Sequence, residues 1–274
     1  MRERIIVAAV AIPLLGLIIF LAPVWALGVL IGAVSAISAF ELLECAAPGS
    51  PRRFTVYAAV SAFLIPIFGS IGYAFVGNLL VFALAITIFT EFILSFREEK
   101  RLDLETVLLV LFAGAIMPLM LGAIARVGAM GLGRGATFLP FVVAFSCDSG
   151  AYFAGRFFGK RKIFPQLSPN KTLEGCIGGV AATVVIMLLY GLVLALFKVE
   201  TRFWPLAIYG IFGSLICQLG DLAFSGIKRQ YNIKDFGTLI PGHGGALDRF
   251  DSLHFVAPAM ELMLTLAVFS GRVL

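Results

Sequence analysis

Long apolar runs separated by short polar seams dominate the chain. Nine of them approach the roughly 20 residues a membrane-spanning helix needs: about 5–22, 24–41, 56–75, 78–96, 104–125, 136–156, 175–197, 204–226 and 252–270. The pattern predicts an all-α, polytopic membrane protein with about nine transmembrane helices. Only a short Ala-Pro-Val stretch parts the first two, so they form a tight hairpin. The N-terminal run has the outline of a secretory leader, with a basic start, an apolar stretch and an Ala at its end. We read it as the first membrane helix.

Composition agrees with the pattern. Hydrophobic residues make up 60% of the chain, charged residues 14%, and mean hydropathy is +1.02. Soluble domains carry about 25% charged residues, so a soluble globular fold is excluded. In this setting the net charge of +5 is no nucleic-acid signal; the placement of Lys and Arg reports orientation instead. With the N-terminus inside and nine alternating spans, sixteen of the 21 basic residues fall on the cytoplasmic side and five outside. That bias predicts a multi-pass protein of the cell inner membrane, N-terminus in. Cys45, Cys147, Cys176 and Cys217 form no CxxC pair and no metal-ligand spacing, and read as small apolar residues.

Texture divides the chain without a linker or an internal repeat. Residues 1–135 are apolar helices and short loops. Residues 136–274 carry nearly all the unusual polar chemistry, and we read them as the functional region.

Three clusters hold that chemistry. In the first, residues 147–175, Asp148 lies inside the predicted sixth span. An intramembrane carboxylate costs about 2.5–3.5 kcal/mol on insertion scales and is functional by default. Tyr152 follows on the same face, and Arg156, Lys160, Arg161 and Lys162 are either positive-inside anchors or phosphate contacts. Lys171, Thr172 and Glu174 stand where the next helix begins, a place that favours anions. The run around Gly155 and Gly159 is one residue short of a Walker loop and lacks its Ser or Thr.

The second cluster places Asp221, Ser225 and Lys228 on one helix face. They are either a structural pair with a snorkelling lysine or a site for a metal-bound polyphosphate. The third is the polar loop 234–252. Gly242, Gly244 and Gly245 surround His243, and Asp248 and Asp251 share a helix face three residues apart. Carboxylates so placed repel unless a cation lies between them. Their hard oxygens suit Mg²⁺, and Arg249 can clamp a phosphate in bidentate fashion. Elsewhere, His254 reads as a packing residue, and Glu91 and Glu261 as interhelical polar contacts. Glu41, Glu44 and the charged run 97–101 read as interfacial charges.

Acids for a divalent metal, basic residues for phosphates and glycines for close approach suggest phosphoryl or nucleotidyl transfer. Placed at the cytoplasmic boundary, they imply one water-soluble and one lipid substrate. A transporter of a phosphorylated anion, using the intramembrane aspartates, is the main alternative. The clustering on one side, rather than at a midplane between repeats, weighs against it.

The run 225–252 closely resembles the signature of phosphatidate cytidylyltransferases. Ser225, Lys228, Arg229, Lys234, Asp235, Pro241, His243, Gly244, Gly245, Asp248, Arg249 and Asp251 carry the resemblance, with similar stretches around Asp148, Lys171 and residues 220–222. The resemblance implies that CTP and phosphatidate react to give CDP-diacylglycerol and pyrophosphate for phospholipid biosynthesis. It implies Mg²⁺, one ion or two, on Asp148, Asp221, Asp248 and Asp251. Asp221, Lys228, His243, Asp248, Arg249 and Asp251 would be catalytic. Lys171, Ser225, Arg229, Lys234, Gly244 and Gly245 would bind substrate. Its expected partners are CTP and bilayer phosphatidate, with no nucleic acid; a homodimer is an arrangement of the kind it admits.

Overall fold

The computed structural model describes residues 16–97, 101–199, 201–238 and 244–269, with side chains to residue 267. It is helical throughout, with no strand among the described residues. We number its principal helices α1 (Val24–Ala46), α2 (Arg52–Ser70), α3 (Ala74–Ser95), α4 (Leu104–Ala129), α5 (Arg134–Phe158), α6 (Leu173–Leu196), α7 (Phe203–Gln230) and α8 (Leu247–Phe269). Each corresponds to one expected run, from the second to the ninth, within a few residues at either end.

Seven helices, α1 to α7, are long and apolar enough to cross a membrane. The expected count of nine is not reached among the described residues. Most of the first expected span lies outside them. The ninth is present as α8, which carries Asp248, Arg249 and Asp251 in its first two turns and is not among the seven.

Local chemistry explains where the helices start and bend. Pro23 and Pro51 precede α1 and α2, where a missing N–H costs nothing. Asp103 caps α4 by accepting from the Thr106 N–H at 2.7 Å. Hydrogen bonding from Thr106 holds the Asp103 carboxyl below its usual range. Inside α4, Phe112–Ile116 widens into a π turn. Pro118 follows two residues on; without an N–H it cannot continue the α pattern, so the ladder shifts.

The chain forms two compact units. The first comprises the residues up to Gly131 with Tyr231–Phe250; the second comprises Leu132–Gln230 with the chain from Asp251 on. In the first, α1 and α2 pack closely, and Arg53 on α2 pairs with Glu91 on α3 at 2.7 Å, the interhelical contact expected of Glu91. In the second, α5 and α6 press together through small residues. A Cβ on Gly150 would run into Ala182, and one on Gly178 into Ala154. His254 is wholly buried with its ring 5.3 Å from that of Phe224, the packing role expected of it.

Candidate active site

The polar side chains of the second unit converge. Lys171 is aimed by a short clasp between α5 and α6. Glu174 accepts the backbone N–H groups of Lys160 and Arg161 at 2.9 and 3.2 Å. Lys162 and Thr172 form an antiparallel bridge, and Thr172 caps α6 by accepting from Gly175 N–H at 3.1 Å. The helix start therefore caps itself with protein groups. With its backbone so fixed, Lys171 donates to the Asp221 carboxylate at 2.6 Å and to the Gln218 carbonyl at 3.1 Å.

Asp221, Ser225 and Lys228 lie on α7, all partly buried. Lys228 comes within 3.9 Å of Asp251, and both side chains are largely buried. Asp251 also lies within electrostatic reach of Asp221 and Asp148, and Asp148 within reach of Asp221 and Lys171. Three carboxylates from α5, α7 and α8 thus face two ammonium groups. Like charges this close repel, and Lys171 and Lys228 are cations set against them among the described residues. Arg229 is exposed at the end of α7 and donates to the Leu167 carbonyl at 3.3 Å. Arg156 donates to the Tyr152 hydroxyl at 2.9 Å, and Lys160, Arg161 and Lys162 are exposed, as positive-inside anchors would be.

The remaining expected site residues belong to the loop of the first unit. His243, with Pro241 and Gly242, lies outside the described residues. Lys234, Asp235 and Arg249 are exposed. Asp248 folds the loop back on itself: its Oδ2 accepts from Phe236 N–H at 2.8 Å and Gly245 N–H at 3.0 Å. Gly244 has φ of +83°, a left-handed conformation that favours glycine.

Glu41 stands differently from its sequence reading. Glu41, expected as an interfacial charge, is buried on α1. Its Oε1 accepts from Ala246 N–H at 2.9 Å and its Oε2 from Leu247 N–H at 2.8 Å. It thereby caps the N-terminus of α8 from another helix, where a negative charge meets the positive end of the dipole. A Cβ on Gly237 or Gly245 would collide with this carboxylate. The close approach these two glycines permit is therefore made by the protein's own Glu41. Nearby, the Cys45 thiol donates to the Phe236 carbonyl at 2.9 Å. The one cue in the sequence was a carboxylate four residues from a cysteine at the end of an apolar run.

The described residues form a helical protein with seven helices long and apolar enough to cross a membrane and with carboxylates and lysines gathered in one cluster. The chain belongs to the cytidylyltransferase family, whose model matches residues 2–267. Among curated proteins it is 46% identical over 129 residues to a phosphatidate cytidylyltransferase of Bacillus subtilis (strain 168), covering 47% of each chain. It is 44% identical over 124 residues to one of Staphylococcus saprophyticus, covering 45% of this chain and 46% of that one. With one of Staphylococcus haemolyticus the identity is 44% over 126 residues, with the same coverage. The chain thus spans about half the length of these relatives in the matched region.

Proposed function

We propose that this protein transfers the cytidylyl group of CTP to phosphatidate, forming CDP-diacylglycerol and pyrophosphate for phospholipid biosynthesis. The observation that carries the reading is the cluster of Asp148, Asp221, Asp251, Lys171 and Lys228. The relatives' names supply the substrates. In the reaction a phosphate oxygen of phosphatidate attacks the α-phosphorus of CTP. The bond to the bridging oxygen of the β-phosphate breaks, and pyrophosphate leaves with that electron pair. The nucleophile is already an anion, so no strong base is needed. The difficulty is bringing two anions together.

The donor set suits a hard divalent cation. The carboxylate oxygens of Asp148, Asp221 and Asp251 match what Mg²⁺ takes, and a cation between them would relieve their mutual repulsion. These residues would hold it; when bound, it would neutralise phosphate charge. Lys171 and Lys228 would bind phosphate oxygens and offset repulsion between the substrates. Arg229, exposed at the end of α7, would contact the nucleotide's phosphates; Arg249 and Lys234, exposed in the first unit, are kept as phosphate contacts on the sequence signature alone. We assign Asp248, with Gly244 and Gly245, to shaping the loop that carries His243. An open apolar groove of about 680 Å³ along α5 and α6, bordered by Phe145, Ser149, Phe153 and Ile186, would take an acyl chain. By the charge bias of the loops, the N-terminus and the site face the cytoplasm.

The test is an assay in detergent with radiolabelled CTP, phosphatidate and Mg²⁺. We expect a lipid-soluble cytidine product with equimolar pyrophosphate, abolished by chelation and restored by Mg²⁺. Absence of product, with movement of a phosphorylated solute in sealed vesicles, would establish the transporter reading instead.

A further inference from the structure

The carboxylate of Asp148 has a second set of neighbours that the proposed reaction does not use. Cys147 on α5 and Cys217 on α7 are both fully buried. One ligand atom from each of Cys147, Asp148 and Cys217 lies within 4.8 Å of the other two. The Cys217 thiol sits 3.7 Å from Asp148 Oδ1, and the Cys147 thiol 3.5 Å from the Ser214 carbonyl. A tetrahedral zinc ion with its usual bond lengths places sulfur and oxygen ligands about 3.5 Å apart. The cysteine–carboxylate separation already matches that edge.

We infer that Cys147, Asp148 and Cys217 form a binding site for a thiophilic divalent cation such as Zn²⁺ or Cd²⁺. Two sulfurs and one oxygen are a donor set that soft and borderline metals take and Mg²⁺ does not. Three protein ligands leave the fourth position to solvent. The thiols are buried, and Asp148, exposed as a residue, gives a metal its way in. On binding, each thiol releases its proton to solvent and the sulfur lone pair forms the metal bond. A divalent ion with two thiolates and one carboxylate carries one net negative charge, and Lys171 is within electrostatic reach to balance it.

The site stands on its own geometry. Its consequence rests on the proposed cytidylyltransferase reading: a cation held here withdraws Asp148 from the Asp221–Asp251 cluster, so thiophilic metals inhibit.

The experiment uses the reduced, chelator-treated full chain in detergent, titrated with Co²⁺. We expect one Co²⁺ per chain and a near-ultraviolet thiolate-to-cobalt charge-transfer band that Zn²⁺ abolishes by displacement. Cys217→Ser and the double variant Cys147→Ser/Cys217→Ser should lose the band, and Cys45→Ser/Cys176→Ser should keep it. Cys147→Ala/Cys217→Ala, checked for a monodisperse elution profile, guards against misfolding of the serine variant. No band in the wild type, or a band surviving in either double variant of Cys147 and Cys217, overturns the site. In the CTP assay, equimolar Zn²⁺ should slow the wild type at least tenfold in excess Mg²⁺ and leave the double serine variant within twofold. Equal inhibition of both overturns the consequence. Because the cobalt band is read without turnover, failure of the site and failure of the enzymatic reading are separable.

Discussion

Removing the Glu41 carboxylate strands two backbone donors, the N–H groups of Ala246 and Leu247. A buried donor left unsatisfied costs roughly 1–3 kcal/mol. Glu41→Ala should therefore destabilise the protein by about 2–4 kcal/mol, seen as a lower Tm in detergent. Glu41→Gln keeps one acceptor and should fall between. An unchanged Tm in Glu41→Ala would show that the cap does not hold the loop. Lys171 is the complementary test. Lys171→Met leaves Asp221 without the ammonium 2.6 Å away, in a pair that solvent reaches on the aspartate side. We expect kcat/KM for CTP to fall at least 30-fold, chiefly through KM. An unchanged KM would remove Lys171 from substrate binding. Sequence reading found Lys171 and Asp221 because an ionisable group stands out in an apolar run. It placed Glu41 wrongly because its partners are backbone N–H groups some 200 residues away, and backbone donors have no sequence signature.

Among the elements, the stretch Tyr231–Phe250 is tied to α1 and α4 by side chains of those helices. Its first residue, Tyr231, donates its hydroxyl to Glu105 at the start of α4, 2.7 Å away. Burial, then the hydrogen bond and charge of Glu105, push the Tyr231 hydroxyl up to about 12. A raised folded-state value means that the protonated form is favoured by folding. The contribution is full below the unfolded value near 10 and is lost as pH climbs toward 12. The wild type should thus lose stability relative to Tyr231→Phe between about pH 10 and 12, measured as the difference in Tm across that range. A constant difference would mean that the tyrosine hydroxyl does not anchor the loop. The existence and approximate ends of α1 to α8 were legible, because apolar runs of spanning length have few alternative structures. The clasp 159–172 was not, since its shape comes from Glu174 and Thr172 accepting backbone N–H groups. The glycines near His243 read as room for phosphates, whereas Gly245 makes room for Glu41; a glycine reveals that something approaches, not what.

For the whole molecule, the distribution of Lys and Arg is the only long-range signal in the sequence. Sixteen of 21 on one side is a bias that holds only if the number of crossings between charged seams is right. The stretch around α6 is its sharpest local test. The clasp before α6 carries Lys160, Arg161, Lys162 and Lys171, and the turn after it carries Lys198 and Arg202. A 24-residue helix containing an 18-residue window of mean hydropathy 2.5 joins them, long enough at 1.5 Å per residue to cross the roughly 30 Å hydrocarbon core. Positive-inside placement would put the clasp, and with it Lys171, in the cytoplasm. Gln166 and Val199 flank α6, and both are exposed. In a chain whose four cysteines are replaced by serine, Val199→Cys should react with a membrane-impermeant maleimide on intact cells or spheroplasts. Gln166→Cys should react only after lysis. Labelling of both from the same side would mean that α6 does not cross. The reverse assignment would turn the cluster of Lys171, Asp221 and Asp251 away from the compartment that holds CTP, and the proposed reaction would fall with it.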